Sequence, residues 1–208
     1  MRCVIISGSP DCNIAFIKSQ IKNDDYVICA DKGYQYALQA DINPDLVVGD
    51  FDSCGIDVNG DFEIIKLQTH KDDTDTMHAI DVALEKGYDD FLLLGATGGR
   101  FDHTFANVSL LQYIHSKGAS GLISSETEVI EYISTGKKEF RNLSGITFSV
   151  FPFGCSEVCL SITGAEYPLD RGILKSSFPM GISNVFSTDL STIEIYDGNA
   201  IIVLNYKI

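Results

Sequence analysis

The segment Phe91-Leu92-Leu93-Leu94-Gly95-Ala96-Thr97-Gly98-Gly99-Arg100-Phe101-Asp102-His103 decides the fold of this 208-residue chain. Its four leading residues form a continuous apolar run, which is typical of a strand covered on both faces in a parallel sheet. A glycine-rich turn follows the run. A helical pattern comes next, with Phe105, Val108, Leu111 and Ile114 on its inner stripe. The order of strand, turn and helix indicates an α/β sheet.

The same alternation extends through the N-terminal part of the chain. Apolar runs predict strands at Cys3–Ser7, Tyr26–Ala30, Leu46–Val48 and Glu63–Leu67, and helical spacing predicts helices at Asn13–Ile21, Gly33–Ala40 and Thr74–Lys86. We therefore predict a mostly parallel α/β domain over residues 1–122.

The helical period disappears after about residue 122. Short runs rich in β-branched and aromatic residues predict strands at Glu128–Ser134, Lys138–Phe140, Thr147–Phe151, Glu157–Ile162, Ser176–Phe178, Asn184–Ser187, Thr192–Tyr196 and Ala200–Leu204. Turn residues such as Asp197-Gly198-Asn199 separate these runs. The pattern predicts an antiparallel β-sandwich domain over residues 123–208.

The charge balance excludes some classes of partner. The formal net charge is −14, so the surface repels nucleic acids and anionic membranes and suits a small cationic ligand. We find neither an apolar run of the roughly 20 residues that span a membrane nor a signal segment before Asp11. The six cysteines form no CxxC pair. These features predict a cytoplasmic protein with reduced thiols.

Two carboxylates follow the predicted strand at Leu46–Val48. Asp50 and Asp52 are separated by one residue, so extended backbone points both side chains to the same face. Such a pair repels unless a cation lies between the carboxylates, and Mg²⁺ prefers hard oxygen ligands of this kind. This placement favours a metal site over a solvated acidic turn that Ser53 caps.

Four further residues allow two interpretations each. Asp75 provides either a third metal ligand or part of a helix cap, and Lys71 either neutralises a phosphate or lies in the same capping segment. Asp31 and Gly33 follow the second strand. They either orient a ligand at close backbone approach or form a simple cap with a turn glycine.

The glycine-rich turn is the strongest candidate for binding an anion. Gly98 and Gly99 expose amide groups between a buried strand and a helix, and Arg100 adds a fork of donors suited to phosphate oxygens. The alternative is a tight turn with Asp102 as the helix cap. The turn matches neither the GxGxxG fingerprint nor the P-loop. Carboxylates beside phosphate-binding cations together indicate Mg²⁺-assisted phosphoryl chemistry.

These stretches, in this order, resemble the thiamine pyrophosphokinase family. The resemblance rests on motifs at 31–33, 44–53, 71–75, 95–103, 164–169 and 181–184. It implies an α/β nucleotide-binding domain, a C-terminal β-sandwich and a homodimer. It also implies that the diphosphate of ATP is transferred to the hydroxyl of thiamine and that AMP is released.

The resemblance also implies a set of site residues. Asp50, Asp52 and Asp75 are expected to hold Mg²⁺, and Lys71, Arg100 and Asp102 to surround the phosphates and the reacting hydroxyl. Further ATP contacts are expected from Asp31, Gly33, Gly98, Gly99 and His103. Tyr167, Ser183 and Asn184 are expected to form the thiamine pocket, across the dimer interface.

Two other functions remain open from the residues alone. One is a Mg²⁺-dependent nucleotide phosphohydrolase that uses water as nucleophile. The other is a non-catalytic module that senses a nucleotide or thiamine. The motifs near the C-terminus argue against a hydrolase, because a hydrolase needs no pocket for a second substrate. Retention of all three candidate metal ligands argues against a sensor.

Overall fold

The structure of the chain is a computed structural model that describes residues 1–51, 60–67 and 74–206. The chain divides into two compact units, Met1–Glu126 and Thr127–Ile208. Among the residues that the structure describes, none of the helices combines the length and the apolar content that crossing a bilayer requires.

The first unit is a parallel α/β sheet, as predicted. Its elements are β1 (Arg2–Ile6), α1 (Ile14–Gln20), β2 (Tyr26–Ala30), α2 (Gly33–Gln39), β3 (Leu46–Gly49), β4 (Glu63–Lys66), α3 (Asp75–Glu85), β5 (Asp90–Leu94), α4 (Phe101–Ser116) and β6 (Ser120–Ser124). The strands lie in the order β6-β5-β1-β2-β3-β4, and every pairing within this set is parallel.

Burial explains which strands the sequence revealed. The central strands β1 and β5 carry continuous apolar runs, and residues 3–6 and 91–94 are almost fully buried. Strand β6 was not predicted, because its sequence Ser-Gly-Leu-Ile-Ser holds only two large apolar residues. Parallel pairing with β5, including Leu92 with Leu122, is what makes it a strand.

Helix α4 presents a different face from the one expected. Leu111 and Ile114 are buried as predicted, but Phe105 is 54% exposed. Asn107 instead lies at the buried position near the start of the helix, where its side chain donates a hydrogen bond to the carbonyl oxygen of Ala96 at 2.8 Å. This hydrogen bond joins the first part of α4 to the glycine-rich turn, while Phe105 lies on the exposed side of the helix.

The chain reverses its direction of progress through the sheet at β1. Strands β2, β3 and β4 lie on one side of β1, and β5 and β6 lie on the other. The loops that follow β1 and β5 therefore begin at the same edge of the sheet, on neighbouring strands, and then diverge from each other. Ligand crevices of open α/β sheets form at such switch points.

The second unit is an antiparallel β-sandwich, as predicted. Its strands are β7 (Glu128–Ile133), β8 (Gly136–Arg141), β9 (Thr147–Pro152), β10 (Glu157–Thr163), β11 (Leu169–Lys175), β12 (Asn184–Val185), β13 (Leu190–Asp197) and β14 (Ala200–Asn205). They form two layers, in the orders β12-β9-β14-β7 and β11-β10-β13-β8. Apolar side chains from both layers share one core. Its centre is Phe186, which stacks on Phe148 and Phe140 at 4.1 and 5.0 Å between ring centroids.

One strand prediction in this unit was wrong. The predicted strand at Ser176–Phe178 is a turn with one bridge, between Lys175 and Phe178. The actual strand is β11, which precedes it and carries the polar residues Asp170 and Arg171. A strand at the edge of a sheet can leave most of its side chains in solvent, so β11 lacks the apolar alternation that marks other strands.

Candidate active site

A cavity of about 730 Å³ opens at the carboxyl ends of the strands in the first unit. Seven of the sequence-predicted site residues line its wall: Asp31, Asp75, Gly98, Gly99, Arg100, Asp102 and His103. Gly33 and Asp50 are not among the lining residues. Asp52 and Lys71 lie outside the residues that the structure describes.

Two glycines allow close approach between backbone segments next to the cavity. A Cβ atom on Gly33 would lie 1.9 Å from the carbonyl oxygen of Ile6, so only glycine lets α2 start this close to β1. A Cβ atom on Gly49 would lie 3.0 Å from Cα of Asp31. Gly33 thus serves close packing of the backbone. Asp50 directly follows the residue that touches Asp31.

The glycine-rich turn has its backbone amides directed at oxygen atoms. Gly98 and Gly99 have φ of 97° and 64°, which side chains with a Cβ rarely adopt. The Gly98 amide donates to Oγ1 of Thr104 at 3.1 Å, and the Gly99 amide donates to Oδ2 of Asp11 at 2.6 Å. Both amides therefore donate to side-chain oxygens of the protein, and the acceptor at Gly99 is a carboxylate.

Arg100 and Asp102 form an exposed ion pair at the start of α4. Nε and Nη2 of Arg100 donate to the two carboxylate oxygens of Asp102 at 3.1 and 2.5 Å, while the side chains remain 71% and 63% exposed. The hydrogen bond from Arg100 lowers the pKa of Asp102, and Asp102 raises the pKa of Arg100. Asp102 is therefore an ionised carboxylate and a weak proton acceptor at neutral pH.

The loop after β1 contributes residues that the sequence analysis missed. Ser7, Gly8 and Ser9 line the cavity, together with Thr76 from α3. Oγ of Ser9 donates to the carbonyl oxygen of Thr97 at 2.5 Å, which joins this loop to the glycine-rich turn. The signal was present in the sequence, because small polar residues and a proline directly follow the first buried run.

The three residues expected to bind thiamine lie in the second unit. The Tyr167 side chain is 68% exposed, whereas Asn184 is buried. Oδ1 of Asn184 accepts hydrogen bonds from the amides of Tyr167 and Val185, and Nδ2 donates to the carbonyl oxygen of Tyr167. Ser183 has φ of 58°, and its amide donates to Oγ of Ser149. Asn184 thus holds the backbone of Tyr167 in place.

The donor chemistry of the cavity suits a hard divalent cation. Asp75 is the first residue of α3 and lines the cavity, and Asp50 follows the end of β3. Carboxylate oxygens are the ligands that Mg²⁺ prefers, and Mg²⁺ completes its shell with water and phosphate oxygens. Within the described ranges 1–51, 60–67 and 74–206, no three acidic, histidine or cysteine side chains already form a metal-binding group.

The fold and the cavity together define an open α/β protein with a polar crevice at its topological switch point and a β-sandwich as its second unit. The model of the thiamin pyrophosphokinase catalytic domain matches residues 17–121, and that of the thiamin pyrophosphokinase vitamin B1 binding domain matches residues 136–199. The chain belongs to the thiamine pyrophosphokinase family, whose members are kinase-type transferases. The resemblance found in the sequence is confirmed.

Individual relatives agree with the family models. The chain is 28% identical over 205 residues to thiamine pyrophosphokinase of Bacillus subtilis, with 96% of each chain covered. It is 27% identical over 157 residues to thiamine pyrophosphokinase 1 of Oryza sativa, which covers 68% of this chain and 59% of that protein.

Solved structures share the fold. The crystal structure of thiamine pyrophosphokinase from Bacillus subtilis superposes with a TM-score of 0.87 at 24% identity, and each chain is covered fully. The enzyme from Candida albicans superposes with a TM-score of 0.77 at 17% identity, covering 99% of this chain and 89% of that chain. These matches extend through both units.

Proposed function

We propose that this chain transfers the diphosphate of ATP to the hydroxyl group of thiamine, giving thiamine diphosphate and AMP. The observation that carries the proposal is the convergence of Asp75, Arg100 and the Gly98–Gly99 turn on one cavity, inside the region that matches the catalytic-domain model. Carboxylates for a cation and a guanidinium for phosphate oxygens are groups that phosphoryl transfer uses.

In the proposed reaction, the hydroxyl oxygen of thiamine forms a bond to the β-phosphorus of ATP. The bond from the β-phosphorus to the oxygen that bridges the α- and β-phosphates breaks, and AMP leaves with that oxygen. Arg100 and Lys71 stabilise the charge on the phosphate oxygens by preorganised electrostatics. Asp102 keeps Arg100 oriented. The hydroxyl proton passes to a carboxylate or to solvent. A strong base is not needed, because phosphoryl transfer depends more on positioning than on base strength.

The nucleotide is proposed to lie against the wall of the cavity formed by Asp31, the Gly98–Gly99 turn and His103. Gly33 would support this wall, because it lets α2 pack closely against β1. Asp50, Asp52 and Asp75 would hold Mg²⁺, which would offset the charge of the phosphates. The support for this role is the position of Asp75 on the cavity wall and of Asp50 next to Gly49.

Thiamine is proposed to bind against Tyr167, beside Ser183 and Asn184. Thiamine carries a fixed positive charge on an aromatic ring, and an exposed tyrosine ring attracts such a cation. The net charge of −14 adds a long-range attraction for the cation. The match of residues 136–199 to the vitamin B1 binding domain supports this placement. We further propose that the enzyme acts as a cytoplasmic homodimer, with the thiamine pocket at the subunit interface.

Product analysis by mass spectrometry tests the proposed reaction. The purified chain is mixed with ATP, MgCl₂ and thiamine, and the expected products are thiamine diphosphate and AMP in equal amounts. A reaction without thiamine is the control. Steady release of AMP in that control would indicate a nucleotide hydrolase, and thiamine binding without any AMP would indicate a sensing module. Either result would overturn the proposal.

A further inference from the structure

A pair of hydroxyl groups lies buried in the cavity wall, and neither group belongs to a predicted site residue. Oγ of Ser7 and Oγ1 of Thr76 are 3.0 Å apart, and the two residues are only 3% and 7% exposed. Both line the cavity. Ser7 follows β1 and Thr76 is the second residue of α3, so the pair joins the switch point of the sheet to the start of a helix.

The pair has one more hydrogen than its mutual bond uses. Each hydroxyl has one hydrogen to donate, and the bond between them uses one of the two, whichever group is the donor. Within the described residues, neither side chain makes another hydrogen bond. A buried donor without an acceptor is costly, so this site favours a ligand that brings an acceptor oxygen.

The surroundings favour an anionic acceptor. Thr76 lies in the first turn of the 11-residue helix α3, where backbone amides lack partners within the helix and the helix dipole is positive. The Ser7 amide donates to the carbonyl oxygen of Leu94 at 2.8 Å, which fixes the loop between β1 and β5 and hence the position of the hydroxyl. A rigid donor beside a helix N-terminus suits a phosphate oxygen.

We propose that the Ser7–Thr76 pair is an additional phosphate-binding element, which donates a hydrogen bond to a phosphate oxygen of the bound nucleotide. This inference rests on the proposed function, because it requires the nucleotide in this cavity. Ser7 and Thr76 would position the phosphate chain relative to Asp75, the neighbour of Thr76 on α3. Hydrogen bonds to charged groups are worth enough that removing both hydroxyls should weaken nucleotide binding about tenfold or more.

Calorimetric titration with ATP and with adenosine, in buffer containing MgCl₂ and no thiamine, tests the pair. The Ser7→Ala/Thr76→Val double variant removes both hydroxyls with little change of volume. It should bind ATP about tenfold more weakly and adenosine as tightly as the wild type does. Each single variant retains one hydroxyl and should lose less. Thr76→Ser keeps the hydroxyl and should retain the wild-type affinity for ATP.

Unchanged ATP affinity in the folded double variant, or an equal loss for ATP and adenosine, would show that the pair is only structural. If the double variant does not fold, Thr76→Val is compared with Thr76→Ser, and equal affinities for ATP overturn the inference. Failure of the wild type to bind ATP would instead overturn the proposed function itself. Because binding is measured without turnover, the two failures are distinguishable.

Discussion

The parallel-sheet unit and the β-sandwich unit hold their candidate site residues by different means. In the first unit, Asp75 and Arg100 come from the starts of different helices, and the backbone alone brings them to one cavity. In the second unit, the buried side chain of Asn184 makes three hydrogen bonds that hold the segment carrying Tyr167. The candidate residues of the first unit lie at the ends of strands, whereas Tyr167 in the second unit is held by a buried side chain.

Because of this difference, substitutions in the two units should affect the reaction rate and the stability of the fold differently. Side chains at open strand ends contribute little packing, so changing their charge should alter the rate and leave the fold unchanged. A buried amide that satisfies backbone groups should affect stability as well as binding. Four substitutions test this contrast, in order of expected effect.

Asp75→Asn should have the largest effect, because it replaces a carboxylate of the proposed metal site by a neutral amide. A metal contributes several kcal/mol to charge stabilisation in the transition state, so kcat should fall about 10³-fold. The free energy of unfolding should change by less than about 1 kcal/mol, which is the contribution of an acidic residue in the first turn of a helix. Steady-state kinetics and urea denaturation measure the two quantities.

The matched control for this prediction is Asp24→Asn, which removes an exposed carboxylate that does not line the cavity. It should retain the wild-type kcat. A kcat for Asp75→Asn within a factor of about three of the wild-type value would exclude Asp75 from the catalytic machinery.

Arg100→Ala should reduce kcat by about 10²-fold, because one preorganised donor to the transferring phosphate is lost. Its side chain is 71% exposed, so thermal unfolding should be unchanged. Arg141→Ala is the matched control, because Arg141 forms an equally short ion pair with Glu139, at 2.5 Å, in the second unit, and its side chain is also mostly exposed. If the two variants lose activity equally, the effect comes from net charge and the assigned role of Arg100 is wrong.

Asn184→Ala should lower the free energy of unfolding by about 1–3 kcal/mol, because the backbone groups of Tyr167 lose their buried partner. The KM for thiamine should rise at the same time, since Tyr167 is no longer held. Urea denaturation and thiamine titration of the rate measure both effects. Ser187→Ala changes an exposed residue of the same segment and should alter neither the free energy of unfolding nor the KM for thiamine. A destabilised variant with an unchanged KM would separate Asn184 from the thiamine site.

Tyr167→Ala should give the smallest change in free energy. Loss of a ring that faces a cation costs about 0.5–2 kcal/mol, so the KM for thiamine should rise several-fold while kcat and the unfolding midpoint stay near the wild-type values. Tyr206→Ala removes another partly exposed tyrosine of the same unit and serves as the control. An unchanged KM in Tyr167→Ala would mean that a different side chain contacts thiamine.

Local features of the sequence were sufficient to predict most helices and strands of the fold. The apolar run at residues 91–94 and the glycine turn after it are short-range signals, and they predicted β5, the turn and α4 correctly. Strands with few apolar residues were not predictable in this way. Strand β6 depends on pairing with β5, and β11 lies at the edge of its sheet, so neither shows the expected pattern.

The candidate site was only partly predictable for the same reason. Asp31, Asp75, Arg100 and Asp102 were singled out because they lie just after a buried strand or near the start of a helix, and all four line the cavity. The loop after β1 was not singled out, although it lines the same cavity. Its importance comes from the position of β1 beside β5, and sequence spacing carries no information about which strands are neighbours.

By itself, the sequence determined the two kinds of secondary structure, because periodicity and turn chemistry act over a few residues. The order of its polar motifs resembles one family, and that resemblance indicated the family. Only the tertiary structure decided which distant groups meet. The Ser7–Thr76 pair, the Gly99 amide with Asp11, and Asn184 with Tyr167 join residues far apart along the chain. Such contacts depend on strand order and on competition for buried hydrogen-bond partners, which are properties of the whole fold.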